Sequence, residues 1–159
     1  MDHQTGQEQF SQNILRTKLF IPHAHPHIIE RPRLANRLDN ILQAKLAVIS
    51  APAGSGKTTI LSRWISQRKL NVAWVSLDER DNDPMRFWSY FLAALQTQNA
   101  HLGQSARTML QSPQAPPVET LLTTVLNDLA QSETSLFLVL DDYHTINNPS
   151  IHQGIEFFL

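Results

Sequence analysis

Residues 45–59 read KLAVISAPAGSGKTT, and this stretch decides the fold. Its first part, residues 45–50, is an apolar run that ends at a turn signal, which predicts a strand buried on both faces of a parallel sheet. Glycines follow at once, and from Lys57 onward apolar residues recur on one helical face. The order of strand, glycine-rich loop and helix is the context that a phosphate-binding loop requires.

The glycine-rich part suits polyphosphate binding for a physical reason. Gly54 and Gly56 allow backbone dihedrals that turn successive amide groups toward an anion, and a helix N-terminus adds partial positive charge. Lys57 adds a full charge for the β and γ phosphates, and the Thr58 hydroxyl is a predicted ligand of Mg²⁺. The predicted nucleotide-binding residues are Ala53, Gly54, Ser55, Gly56, Lys57, Thr58 and Thr59.

The general form of this motif begins with glycine, whereas this chain has Ala51 at that position. The alternative interpretation is a glycine-rich turn that only joins a strand to a helix. The flanking apolar strand pattern and the following helix favour phosphate binding over that alternative.

Two carboxylates follow a second apolar run, residues 136–140. A nucleotide site of this kind needs a carboxylate at the end of a neighbouring strand to hold Mg²⁺ through its waters, and Asp141 fits that role. Asp142 is the candidate catalytic residue, as a general base that polarises the attacking water if it faces the γ phosphate. The alternative for both residues is a solvated strand end.

The remaining segments alternate between strand and helix signals, which predicts an α/β fold, here a three-layer P-loop sandwich with a mostly parallel sheet. Before residue 45 we expect a disordered leader at 1–14, then an extended segment and a short helix within 15–44; residues 45–159 form the core. The other predicted elements are a strand at 72–77, a helix from Asp83 and Pro84, a short helix within 101–110, a helix at 117–131, a strand at 135–141 and a helix from Asn148 and Pro149.

Composition excludes several classes of function. With 13 basic against 14 acidic residues and no dense basic run, the chain lacks the electrostatic footprint of direct DNA binding. The absence of cysteine excludes disulfide scaffolds and thiolate metal sites. Apolar runs are far shorter than the roughly 20 residues that cross a bilayer, so we expect no membrane association and a cytoplasmic location.

Two further polar clusters have simpler explanations than a site. His23, His25 and His27 alternate, yet surface histidines in a proline-broken loop explain them better than a metal site. The acidic residues between Asp78 and Asp83 follow a strand end, but solvated loop charges and a helix cap account for most of them.

Together, several sequence blocks resemble the N-terminal NTPase domain of the large ATP-binding LuxR-type regulators, the MalT-like group of signalling STAND ATPases. Ala51 supports the resemblance, because this family commonly starts its loop with Ala-Pro-Ala-Gly. The matching blocks are TKL at 17–19 with Pro22, RPRL at 31–34, residues 51–59, AWVSLD at 73–78, DNDP at 81–84 with RFW at 86–88, and LDDYH at 140–144.

The resemblance implies an ATP- and Mg²⁺-dependent switch in a transcription regulator, with at most slow ATP hydrolysis. In such proteins an inducer and ATP favour self-association, and DNA is bound only through a C-terminal domain, which this chain lacks. Residues 31–34 pass near the adenine in similar domains.

The resemblance also implies that the sheet is incomplete at the C-terminus. In this class of NTPase the strand that separates the phosphate-loop strand from the Asp141 strand would come after Leu159, so we expect a fragment in which hydrolysis is impaired. The alternatives are a stand-alone P-loop phosphotransferase and a fragment that no longer holds nucleotide.

Overall fold

The structure is a computed structural model that describes residues 14–23, 37–52, 54–132 and 135–159. The chain divides into two compact units. The larger comprises the described residues up to Phe20 and those of Asn71–Phe158; the smaller comprises those of Ile21–Leu70 together with Leu159. The predicted leader up to residue 13, the predicted adenine segment 31–34, Ala53, His25 and His27 all lie outside the described residues.

Two parallel strands form the sheet of the larger unit. Strand β1 is Val72–Ser76 and strand β2 is Phe137–Asp141, in a register that pairs Val72 with Phe137 and Ser76 with Asp141. The first four residues of β1 are buried, as its apolar and β-branched composition predicts. Both strands and their parallel direction confirm the α/β class.

The helices lie close to where the periodicity of apolar residues predicts them. Helix α2 starts as expected, with Asp83 accepting a hydrogen bond from the Arg86 backbone N–H at 2.8 Å and Pro84 in the first position. The α-helices are α1 (Lys57–Arg68), α2 (Pro84–Gln98), α3 (Gln104–Leu110), α4 (Val118–Ala130) and α5 (Pro149–Phe158).

Helix α2 is central to the core of the larger unit, where it contacts β1, α3 and α5. Its aromatic face packs edge to face, with ring centroids 4.9 Å apart between Phe87 and Trp88 and 5.1 Å between Trp88 and Phe91. Leu122 of α4 and Ile151 of α5 are fully buried in the same cluster.

A buried ion-pair cluster fixes the start of the described chain to this core. Asp81 is fully buried and accepts from both Lys18 Nζ and Arg86 Nε, the latter at 2.8 Å. Lys18 also lies 2.9 Å from Asp78, and this contact lowers the pKa of Asp78. Since Lys18 belongs to the 3-10 turn Arg16–Leu19, these contacts attach that turn to the core. Part of the acidic cluster is therefore structural and buried, where the sequence indicated solvated loop charges.

The smaller unit contains α1 and the helical residues 37–43. Asp39 joins the two, because it accepts from the Trp64 indole N–H at 2.9 Å and from Arg68 Nε at 3.0 Å. The hydrogen bond from Trp64, with that from Arg68, lowers the pKa of Asp39. Trp64 is buried.

The predicted strand at residues 45–50 is wrong. This stretch has no strand conformation, and Leu46, Val48 and Ile49 are 57%, 81% and 41% exposed. An apolar run becomes a buried strand only when neighbouring strands satisfy its backbone groups, and the described residues pair only β1 with β2. The three-layer sandwich and the domain bounds stay predictions. No helix in the described ranges has the length and apolar character of a membrane span.

Gly154 gives a test of packing in the larger unit. A Cβ at this position would overlap the Trp88 ring, so Gly154→Ala should lower the urea midpoint of unfolding. We expect a net loss of about 1 kcal/mol, because overpacking costs roughly 1–3 kcal/mol and exceeds the usual helical gain of about 0.5–1 kcal/mol. Gln153→Ala, at the exposed neighbouring position, is the control. A midpoint that rises in Gly154→Ala would contradict the packing.

Candidate functional site

The predicted phosphate loop has the backbone conformation that its glycines indicate. Gly54 and Gly56 have φ of 74° and 82°, in the left-handed region that favours glycine. The Ser55 backbone N–H donates to the Pro52 carbonyl at 3.2 Å and closes the turn, and α1 begins at Lys57. A Cβ at either glycine would meet no atom within 4 Å, so their conformation rather than crowding requires glycine.

The Lys57 side chain folds back over this loop. Its Nζ donates to the Ala51 carbonyl at 2.7 Å and to the Pro52 carbonyl at 3.2 Å. These contacts hold a positive charge against the turn from which a phosphate would be bound. A phosphate oxygen is a stronger partner for an ammonium than a neutral carbonyl, because its hydrogen bond is charge-assisted.

Ser55 supplies the observation that fits a phosphate in this loop. Its Oγ is buried and has no hydrogen-bond partner among the described residues. A buried hydroxyl left unsatisfied costs about 1–3 kcal/mol, and an oxygen ligand would remove that cost. Thr58 and Thr59 lie half-buried in the first turn of α1, and the Thr58 carbonyl accepts from Ser62 Oγ at 2.7 Å.

Asp141 is the last residue of β2, at the carboxyl end of the sheet. Its backbone carbonyl accepts from the Leu77 N–H at 3.0 Å, which extends the pairing of the two strands by one hydrogen bond. The strand-end position that the sequence predicted for this carboxylate is confirmed. Parallel α/β sheets gather ligand-binding side chains at this edge.

Asp142 has a left-handed backbone, with φ 57° and ψ 31°, and its side chain is half exposed. Thr145 closes the turn that follows, since its N–H and its Oγ1 donate to the Asp142 carbonyl at 3.0 and 2.9 Å. A non-glycine residue in this region is uncommon, and such residues cluster at functional sites.

Tyr143 joins this turn to α5. Its hydroxyl lies 2.7 Å from His152 Nδ1, and the two rings meet edge to face at 5.5 Å. Burial raises the pKa of Tyr143, and the negative charge of Glu156 raises it further.

Sequence reasoning missed one polar residue at this edge, Asn82. Its side chain bonds to the backbone of the loop that follows β2, more than 60 residues away along the chain. In the sequence Asn82 is visible only as an amide within the acidic run that follows a strand. That position does not indicate its partners in the loop after β2.

The predicted site residues belong to different units. Residues 54–59 are in the smaller unit, whereas Asp141 and Asp142 are in the larger one. Within the described ranges, no group of three or more His, Cys, Asp or Glu side chains has an arrangement that could hold a metal ion. The roles of the individual residues stay predictions.

Comparison with known proteins gives the family. No protein-family model matches the chain. Over 146 residues it is 40% identical to the HTH-type transcriptional regulator MalT of Cronobacter sakazakii, a match that covers 92% of the chain. It is 38% identical to the regulators of that name from two Klebsiella pneumoniae strains, over the same length. The chain is homologous to MalT regulators.

The homology confirms the resemblance to MalT-like regulators that the sequence blocks indicated. The chain spans 16% of the length of those relatives. The segment is thus related to part of a transcriptional regulator.

Asp142 gives a test of the turn after β2. We expect Asp142→Gly to be more stable than Asp142→Ala by about 1 kcal/mol, because a left-handed residue with a Cβ costs roughly 1–2 kcal/mol. Urea unfolding of both variants measures the difference. At Asn147, whose φ is not positive, we expect the opposite order: Asn147→Ala should be more stable than Asn147→Gly, since glycine adds entropy to the unfolded chain. Equal stabilities at Asp142 would contradict the left-handed turn.

Proposed function

We propose that this chain binds ATP together with Mg²⁺ and serves as the nucleotide-binding part of a MalT-type transcriptional regulator. The observation that carries the proposal is the Lys57 ammonium held over a turn of two left-handed glycines at the start of a helix. Backbone amides at a helix N-terminus bind phosphate, and the lysine charge adds to them.

Each predicted residue has a role in this proposal. The amides of residues 53–59 bind the phosphates, and the Ser55 hydroxyl gains a partner. Thr58 and Asp141 hold Mg²⁺, which when bound supplies positive charge to the phosphate oxygens. Asp142 orients and polarises water, and hydrolysis is at most slow.

The nucleotide acts as a regulatory ligand in this proposal. A ligand shifts a protein between two states only through different affinities for them, so ATP must bind one form of the regulator more tightly. Inducer binding, self-association and DNA binding through a C-terminal domain belong to the whole regulator and are proposed at that level. A cytoplasmic location agrees with this role.

The relatives favour a switch over a phosphotransferase, because the relatives that match over 92% of this chain are named as regulators. A phosphotransferase would instead show turnover with a small phosphoryl acceptor and none with water alone. A fragment that no longer holds nucleotide would give a flat calorimetric titration with Mg-ATP.

Lys57→Ala tests the phosphate loop. Charge-assisted hydrogen bonds contribute about 1.5–3 kcal/mol, so the Kd for ATP should rise roughly 10- to 100-fold in calorimetric titration. Lys45→Ala removes the same charge from an exposed position in the segment before the loop and should leave the Kd unchanged. If both variants bind ATP as the original chain does, the assigned loop is not the site.

Asp141→Asn tests the magnesium role. The substitution keeps the shape of the side chain and removes its charge, so we expect the Kd measured with Mg²⁺ to rise about tenfold, the equivalent of about 1.4 kcal/mol. The Kd measured in EDTA should stay the same, because the phosphate loop is intact. Glu119→Gln, an exposed carboxylate on α4, is the control. An equal loss with and without Mg²⁺ would contradict a metal role for Asp141.

A further inference from the structure

We infer that Asn82 is a positioning residue for the carboxylate end of the site. Its side chain forms a clasp that joins the loop after β1 to the loop after β2 and so supports the Asp141–Asp142 turn, which carries the proposed Mg²⁺ ligand. The inference rests on the proposed function, and it names a residue that acts through the turn without touching nucleotide.

The carbonyl end of the Asn82 amide binds the loop after β2. Oδ1 accepts from the Asn147 backbone N–H at 2.6 Å and from the Asn148 backbone N–H at 3.1 Å. In the same place the Asn148 side chain donates to the Asn82 backbone carbonyl at 2.9 Å. Three hydrogen bonds thus fix the residues that lead into α5.

The amino end of the same amide binds both loops. Nδ2 donates to the Thr145 carbonyl at 2.8 Å and to the Glu79 carbonyl at 3.0 Å. A carboxamide has two acceptor lone pairs and two donor hydrogens, and here all four are used. Aspartate would lose both donations and bring a negative charge to the two carbonyls, so the chemistry at this position is specific to an amide.

The clasp reaches Asp142 through Thr145. Asn82 holds the Thr145 carbonyl, and Thr145 in turn donates twice to the Asp142 carbonyl, at 3.0 and 2.9 Å. Asp142 is left-handed, so this turn adopts a conformation that needs support from its surroundings. Asn82 provides part of that support from outside the turn.

Asn82 itself is firmly placed. It ends the 3-10 turn Glu79–Asn82, which begins with a capping box between Asp78 and Asp81. Asp81 is fully buried between Lys18 and Arg86, so one end of the clasp is anchored in the core. On the sheet side, the Leu77 N–H holds the Asp141 carbonyl. The turn that carries both carboxylates is therefore held from two directions.

If Asn82 had only a structural role, its removal would lower stability and would change the affinity for ATP equally with and without Mg²⁺. A positioning residue for the Mg²⁺ side must do more: its removal should reduce the gain in ATP affinity that Mg²⁺ confers and leave metal-free affinity unchanged. The ratio of Kd in EDTA to Kd in Mg²⁺ separates the two, because a general loss of stability moves both constants together.

The experiment compares Asn82→Ala with Asn147→Ala in the same chain. Asn147→Ala is the matched control, since it removes an exposed amide that donates to the Thr145 carbonyl only at 3.5 Å and keeps the backbone N–H that donates to Asn82 Oδ1. We expect the Kd ratio to fall about tenfold in Asn82→Ala and to stay unchanged in Asn147→Ala. Amide hydrogen exchange at residues 147 and 148 should accelerate in Asn82→Ala, which reports the clasp without nucleotide.

Where Asn82→Ala does not fold, Asn82→Ser replaces it, because serine adds no charge and is too short to join both loops, so it should lower the ratio in the same direction. An unchanged Kd ratio with accelerated exchange overturns the positioning role while the proposed function stands. An original chain that binds no Mg-ATP overturns both, and the exchange measurement then still shows whether Asn82 forms the clasp.

Discussion

The parallel pairing of β1 with β2 is the constraint on which the larger unit depends. Parallel strands cannot be joined by a tight hairpin, so the chain between them must cross over, and α2, α3 and α4 all lie in that connection. Because both strands run the same way, their carboxyl ends meet at one edge of the sheet. The loop that contains Asn82 and the loop that contains Asp142 are therefore neighbours in space despite their separation in sequence.

Burial of the Asp81 carboxylate is the second constraint. A buried charge is strongly unfavourable unless it is paired and hydrogen-bonded, and here Lys18 and Arg86 both pair with it while the Asp78 N–H donates at 2.9 Å. The arrangement joins the 3-10 turn near the start of the described chain, the loop after β1 and the first turn of α2. One fully buried side chain thus determines the placement of three backbone segments.

The features that sequence predicted well are those with local causes. Asp83 and Pro84 start α2 through their own cap geometry, and Gly54 and Gly56 have positive φ because the loop itself requires it. The run at 45–50 failed as a strand because strand formation depends on pairing partners, which an apolar pattern does not supply. Asn82 was missed for a related reason: its partners in the loop after β2 are 63 to 66 residues away, and no spacing within the sequence indicates them. Features with local causes can be predicted from the sequence, whereas contacts between residues far apart in the chain cannot.

The Lys57 contacts suggest how the phosphate loop can be stable without a ligand and still bind one. In the structure the ammonium is satisfied by two neutral carbonyls of its own loop, so the positive charge is not left unpaired. In the proposed function a phosphate replaces these partners with charged oxygens, and such hydrogen bonds are about twice as strong as neutral ones. Replacing the two carbonyls by phosphate oxygens would exchange weaker hydrogen bonds of Lys57 for stronger ones, and it would also give the buried Ser55 hydroxyl an acceptor. The loop therefore already holds the groups proposed to bind phosphate in place, an arrangement that would reduce the entropy lost on binding of the proposed nucleotide.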